Sequence, residues 1–269
     1  MDKKILLFRV KEYLKYKWRA IDEHGIHSPF LFSLYNELMR KEPDNKDLYF
    51  AENFRIQLLS SDEVIEKDQL SIALAEEVDN SAMPEQQVQL IYKLIRKFQP
   101  NTFIELGTNA GLSSLYFAIA LKGKPEAKLY TIERNFQLHD KALVSHAMLR
   151  HGFLGLPTFK FIHGSFNVEL PKVLEELPTL DFLFIDGDHQ GKSLLNYFNL
   201  CLPKVSDQSI FVFDDIYWSP DMLEAWNEII KHPKVRLSIN MFHLGIVFFN
   251  SSLTKEDYTL KWKEHQSVV

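Results

Sequence analysis

The residues of this 269-residue chain best suited to chemistry begin with Glu105-Leu106-Gly107-Thr108-Asn109-Ala110-Gly111-Leu112-Ser113. Gly107 permits a tight turn after an apolar strand, and Gly111 lets a ligand or a helix approach the backbone closely. Glu105 stands two residues before the first glycine, where a dinucleotide would otherwise set its phosphate on free amides. A carboxylate there repels pyrophosphate and attracts a cation. S-adenosylmethionine carries an ammonium, a sulfonium and no phosphate, so it suits this charge pattern. Glu105, Gly107, Thr108, Asn109, Gly111 and Ser113 are therefore candidates for holding its methionine part. Glu133 closes the next strand, where an acid accepts both hydroxyls of a ribose. NAD uses the same device, so Glu133 alone does not discriminate, and a surface acid opening a helix is the plainer alternative. Gly164-Ser165 ends a third strand, where a small residue can face an adenine ring.

A second constellation is acidic. The strand before Asp186-Gly187-Asp188-His189 is wholly apolar, as is the strand before Asp214-Asp215. In an open α/β sheet ligands gather at the carboxyl ends of the strands. Were these two strands neighbours, Asp186, Asp214 and Asp215 would converge and repel one another unless a cation neutralised them. All-oxygen ligation suits Mg2+, which would polarise a substrate hydroxyl, and His189 could then remove its proton. Alternatively, Asp186 holds the cofactor's ammonium in place of a metal. In the purely structural alternatives Asp188 caps the following helix and Asp215 satisfies loop amides before Ser219-Pro220 opens another. Tyr217 and Trp218 fit either a substrate wall or the core.

The elements that must position these groups follow from periodicity. Strands are expected over 102–106, 128–132, 158–163, 180–185, 210–213, 235–240 and 245–249, and helices over 112–121 and 190–200. The link around His243 is too short for a helical crossover, so the last two strands should form an antiparallel hairpin. The fold class is α/β, a doubly wound, seven-stranded, mostly parallel sheet with a C-terminal antiparallel hairpin. Composition agrees: hydrophobic residues make up 46% of the chain, enough for a full core. A net charge of −5 provides no basic field for nucleic acid. The single cysteine, Cys201, excludes an internal disulfide and reads as packing in a reducing compartment. The apolar run at residues 5–8 is too short for a signal segment, and no stretch approaches a membrane span, so a cytoplasmic location is expected.

Residues 1–83 form a separate helical extension, and 84–269 the cofactor-binding domain. Ile5, Phe8, Tyr13, Leu14, Tyr16 and Trp18 interleave with Lys11, Lys15, Lys17 and Arg19 in a basic amphipathic helix. Its apolar face is expected to pack on the main domain or on a partner chain, ahead of lying on an anionic membrane. Ser28-Pro29 caps a second helix over 30–39, 42–47 reads as a linker, and 62–75 as further helix. His24 and His27 lie in a turn with no third ligand nearby, so they suit a lid better than a metal.

With these residues in place, the chain resembles the class I S-adenosylmethionine-dependent methyltransferases from about residue 85 to 249. Within them it is similar to the metal-dependent O-methyltransferases of the catechol, caffeoyl-CoA and macrolide-sugar types. Those carry one Asp after strand four and an acidic or Asp-Asn pair after strand five, matched by Asp186 and Asp214-Asp215. The macrolide-sugar enzymes have a histidine where His189 lies. The catechol enzymes have lysine there, and Asn replaces Asp215 in the catechol and caffeoyl-CoA types. The His-Gly-Ile-His-Ser-Pro-Phe segment resembles an extension in methyltransferases of Bacteroidetes-type bacteria. The resemblance implies methyl transfer to a hydroxyl oxygen of a small molecule, with His189 and Asp186 catalytic and Mg2+ on Asp186, Asp214 and Asp215. The N-terminal helices would cap the pocket or build a homodimer. The rival readings are an S-adenosylmethionine-binding protein without turnover and an NAD-type oxidoreductase. The second requires Gly-x-Gly-x-x-Gly, which residues 107–111 do not match.

Overall fold

The computed structural model of the protein describes residues 3–40, 45–67 and 69–261. Among these the chain runs α1 (Lys3–Arg19), α2 (Pro29–Arg40), α3 (Asn45–Leu59), β1 (Val64–Lys67), β2 (Leu70–Ala73), α4 (Leu74–Ser81) and α5 (Glu85–Phe98). Strand and helix then alternate: β3 (Thr102–Leu106), α6 (Leu112–Ala120), β4 (Lys128–Glu133), α7 (Phe136–Gly152), β5 (Thr158–His163), α8 (Phe166–Glu176), β6 (Phe182–Ile185), α9 (Gly191–Cys201), β7 (Ile210–Phe213) and α10 (Pro220–Lys231). The chain closes with β8 (Leu237–Asn240), β9 (Gly245–Phe248) and β10 (Glu256–Thr259). Two compact units result, one of Met1–Asn36 with Pro171–Val269 and the other of Glu37–Leu170.

In the Glu37–Leu170 unit, β4 pairs in parallel with β3 on one side and β5 on the other. Every residue of β3 is buried, as a strand covered on both faces requires. The apolar helix α6 is buried at all positions except Ser113. Asn135 caps α7, its Oδ1 accepting the amides of Gln137 at 2.9 Å and Leu138 at 3.1 Å. Two expectations fail here. The helix read over 62–75 is an antiparallel hairpin, β1 against β2, turning through Gln69 at φ +70°. Val64, Ile65 and Ile72 favour a strand, and polar side chains from the α7 end secure it. The Glu66 amide donates to Gln137 Oε1 at 2.5 Å, and Asn135 Nδ2 donates to the Glu66 carbonyl at 2.7 Å. The linker read over 42–47 gives way to α3 from Asn45, with 41–44 outside the described residues.

In the other unit, β6 and β7 run parallel, β9 is antiparallel to both β7 and β8, and β10 lies parallel to β8. The expected C-terminal hairpin is thus present. Strand β10 is an addition to the seven strands read from the sequence; its residues Glu256 and Asp257 lack the apolar run that marks a buried strand. Ser28 and Ser219 open α2 and α10 as expected, each immediately before a helical proline. Among the described residues no helix is long and apolar enough to cross a membrane.

Candidate active site

The glycine loop belongs to the Glu37–Leu170 unit. It leaves β3 at Gly107, φ +103°, passes Asn109 at φ +49° and enters α6 at Gly111, φ +86°. What approaches Gly111 is helix α7: a Cβ there would lie 2.8 Å from Ala142 Cβ and 2.9 Å from its Cα. The amides of Gly107 and Thr108 both donate to the Ile132 carbonyl, at 3.1 and 3.3 Å, stitching the loop to β4.

Glu105 is fully buried and already engaged. Ser113 Oγ donates to its Oε1 at 2.6 Å, and Thr131 Oγ1 and Ser114 Oγ both donate to Oε2, the former at 2.6 Å. Burial pushes its carboxyl up to about 7 despite those three hydroxyls. In this geometry Glu105 braces the loop, because none of its surface is open to a cationic ligand.

Glu133 is half-buried at the end of β4. Its Oε2 accepts the Asn109 amide at 2.9 Å and its Oε1 the Asn135 amide at 2.7 Å. One carboxylate therefore bridges the loops after β3 and β4, and each oxygen keeps a lone pair for a hydroxyl donor. The Gly164 amide donates to the Glu133 carbonyl at 2.9 Å, drawing the Gly164-Ser165 turn to the same end of β4 and β5. Glu105, Glu133, Asn109 and Gly164-Ser165 are thus gathered at the carboxyl ends of three parallel strands.

Sequence reasoning missed Glu77 and Ser81 of α4. Asn109 Nδ2 donates to Glu77 Oε1 at 3.1 Å and to Ser81 Oγ at 2.7 Å, while Lys67 Nζ donates to Glu77 Oε1 at 2.5 Å. The positive φ of Asn109 is held by this network and by its own Oδ1, which accepts the Ala110 amide at 2.6 Å. A buried Glu in an otherwise ordinary helix gives no sequence signal, since its partners lie 32 and 10 residues away.

The acidic residues belong to the other unit. Register pairs Ile185 with Phe213, and the Asp214 amide donates to the Ile185 carbonyl at 2.9 Å. Asp186 and Asp214 thus leave adjacent strand ends together. Asp214 Oδ1 is closed off from solvent and has no hydrogen-bond partner among the described residues. Burial, and then the charges of Asp186 and Asp215, hold the Asp214 carboxyl well above the usual carboxylate range. Asp215 turns through φ +50°, its Oδ1 3.8 Å from His243 Nδ1, a neighbour the sequence did not suggest. The donor chemistry fits a hard cation: an orphaned buried oxygen among mutually repelling carboxylates. As the side chains stand, however, no three His, Cys, Asp or Glu among the described residues are grouped to hold an ion.

His189 is half-buried, its ring 5.1 Å from that of Trp218, with the Arg9 guanidinium 5.0 Å from the Trp218 ring centre. Asp188 does not cap α9. Its Oδ2 accepts the Tyr197 hydroxyl at 2.9 Å, and the Gly191 amide at the helix start donates to Asp221 Oδ2 at 2.7 Å. Tyr217 lines a cavity of about 190 Å3, with Asn240 Nδ2 donating to its hydroxyl at 2.8 Å. His24 and His27 are exposed, and Cys201 is buried, which pushes its thiol up.

Residues 104–216 match the model of a family described as a methyltransferase domain. Among solved structures, an SAH-bound methyltransferase of Podospora anserina superposes with a TM-score of 0.57 at 14% identity, covering 80% of this chain and 91% of that one. An O-methyltransferase of Bacillus cereus in complex with SAH gives 0.54 at 15%, covering 77% and 92%. The tomaymycin-synthesis O-methyltransferase of Streptomyces achromogenes, in complex with SAM, gives 0.53 at 16%, covering 81% and 95%. A curated relative, the protein R132 of Acanthamoeba polyphaga mimivirus, is 42% identical over 88 residues, 27% of this chain. The match spans 39% of that relative's length.

Proposed function

Because residues 104–216 match a methyltransferase-domain model and the fold is like that of solved methyltransferases, we propose that this protein transfers the methyl group of S-adenosylmethionine to a hydroxyl oxygen of a small molecule. The observation that carries the reading is the Glu133 carboxylate, which bridges the Asn109 and Asn135 amides at the strand ends while keeping lone pairs for a ribose. The bound cofactor supplies an electrophilic methyl on a sulfonium, and the chain's part is to bind, orient and move one proton. Gly107, Thr108, Asn109, Gly111 and Ser113 shape the loop for the methionine part, and Glu105 braces it. Glu133 takes the ribose hydroxyls, and Gly164 and Ser165 line the adenine edge; where Asp186 holds no ion, it receives the ammonium instead. His189, oriented by the Trp218 ring, takes the proton of the acceptor hydroxyl.

Asp186, Asp214 and Asp215 are the candidate ligands for Mg2+. When bound there, the ion would make the acceptor hydroxyl more acidic. The first 83 residues are an extension to this domain and, in the same reading, its cap or a homodimer contact.

Calorimetry with S-adenosylmethionine and with NADH tests the donor. Micromolar binding of the former, weakened at least roughly tenfold in Glu133→Ala, is expected from the loss of charge-assisted hydrogen bonds. Binding of NADH alone would refute the reading. Turnover of a panel of catechols and sugars, with and without Mg2+, tests the acceptor and the ion. If an observed activity and its Mg2+ response survive Asp214→Ala unchanged, the cation site is wrong.

A further inference from the structure

Helix α1 carries an apolar stripe that stands exposed among the described residues. Leu7, Val10, Leu14 and Trp18 are 71%, 50%, 65% and 86% exposed. Their spacing of three, four and four residues puts them on one face. At 3.6 residues per turn, Lys11 borders this stripe on one side and Lys17 on the other. The opposite face is fastened down: Tyr16 is buried, its hydroxyl donates to the Leu260 carbonyl at 2.6 Å, and Tyr13 packs on Phe242 at 5.0 Å. Arg9, also turned from the stripe, sits over Trp218. Of the apolar face expected to pack on the main domain or on a partner chain, Tyr13 and Tyr16 pack inward, while the lysine-bordered stripe of Leu14 and Trp18 faces outward.

Charge identifies what this face fits. Lys3–Arg19 holds seven basic residues and one acid, Glu12, for a net +6. The whole chain carries −5, so everything outside this helix carries −11. Positive charge is therefore concentrated on a helix that also exposes an apolar stripe. Two α1 helices set face to face would place +6 against +6, which disfavours a symmetric pairing of stripes. An anionic bilayer satisfies both halves of the surface: leucines and Trp18 enter the headgroup boundary while the flanking lysines meet lipid phosphates.

We propose that α1 is a membrane-surface docking helix that places the protein on anionic phospholipid, lying in the interface without crossing it. The inference stands on α1 alone and does not depend on the methyl-transfer reading. Arg9, on the side of α1 opposite the stripe, sits over Trp218, whose ring neighbours His189, so the docked helix and the candidate base belong to one stack.

Co-sedimentation of the full chain with vesicles tests this, comparing phosphatidylcholine with the same lipid containing roughly one third phosphatidylglycerol. Partitioning onto the anionic vesicles is expected to be at least about tenfold tighter and to weaken with salt. Leu14→Glu should abolish most of it, and Lys11→Gln with Lys17→Gln should weaken it by roughly tenfold. Brominated lipid should quench tryptophan emission in the parent but much less in Trp18→Phe. These side chains are exposed, so unchanged circular dichroism will verify the fold of each variant. Equal partitioning onto both vesicles, or undiminished binding by Leu14→Glu, overturns the proposal. So does a dimer in solution that Leu14→Glu dissociates while the parent ignores vesicles, because the stripe would then be a contact between copies.

Discussion

Glu105→Gln isolates the effect of burying a carboxyl beneath the glycine loop. Glu105 has no exposed surface, and burial raises its carboxyl from 4.5 to about 7. Such a shift costs the ionised folded form about 3 kcal/mol relative to the unfolded chain. Because the folded value is the higher one, the folded state holds the proton that the unfolded state has released. Glu105 therefore contributes most below pH about 4.5, and that stability drains away as pH rises to about 7, then levels off. Glutamine keeps the shape, removes the titration and leaves the Ser113, Ser114 and Thr131 hydroxyls free to reorient around a neutral amide. Urea unfolding of parent and variant across this range should show a stability difference moving in favour of Glu105→Gln by about 3 kcal/mol between pH 4.5 and 7. It should stay constant above that. A difference that does not change with pH would show that Glu105 carries no displaced proton, and the account of the loop's electrostatics would fall.

Other expectations follow from the same loop. Gly111→Ala drives a Cβ to 2.8 Å from Ala142 Cβ at a φ of +86°, so a loss of about 2 to 4 kcal/mol is expected by thermal or urea unfolding. A loss under about 0.5 kcal/mol would mean that α7 yields freely. Glu77→Ala removes an anchor of Asn109 and the partner of Lys67. It should weaken S-adenosylmethionine binding roughly threefold to tenfold with no change in acceptor KM, and Glu77→Gln should recover part of the loss. Equal affinity in Glu77→Ala and the parent would remove Glu77 from the positioning network.

The local sequence was informative wherever one short segment decides its own structure. The β3–loop–α6 unit was legible because an apolar strand, two glycines in left-handed backbone and an apolar helix are each written in consecutive residues. The β6 and β7 ends were legible for the same reason, and register then brought Asp186 and Asp214 to neighbouring positions. Strands made by their partners were not legible. The β1–β2 hairpin depends on Gln137 and Asn135 gripping Glu66 from about 70 residues away, and β10 is a polar edge recruited by β8. The sequence by itself determined the α/β alternation, the turn chemistry of the glycine loop and the supply of acids at strand ends, because backbone sterics and hydrophobic periodicity act over a few residues. Tertiary structure alone decided that three hydroxyls surround Glu105, that Glu77 holds Asn109, and that Leu7, Leu14 and Trp18 face outward. Those outcomes depend on which distant surface each side chain meets, and burial and pairing exist only once the chain has closed on itself.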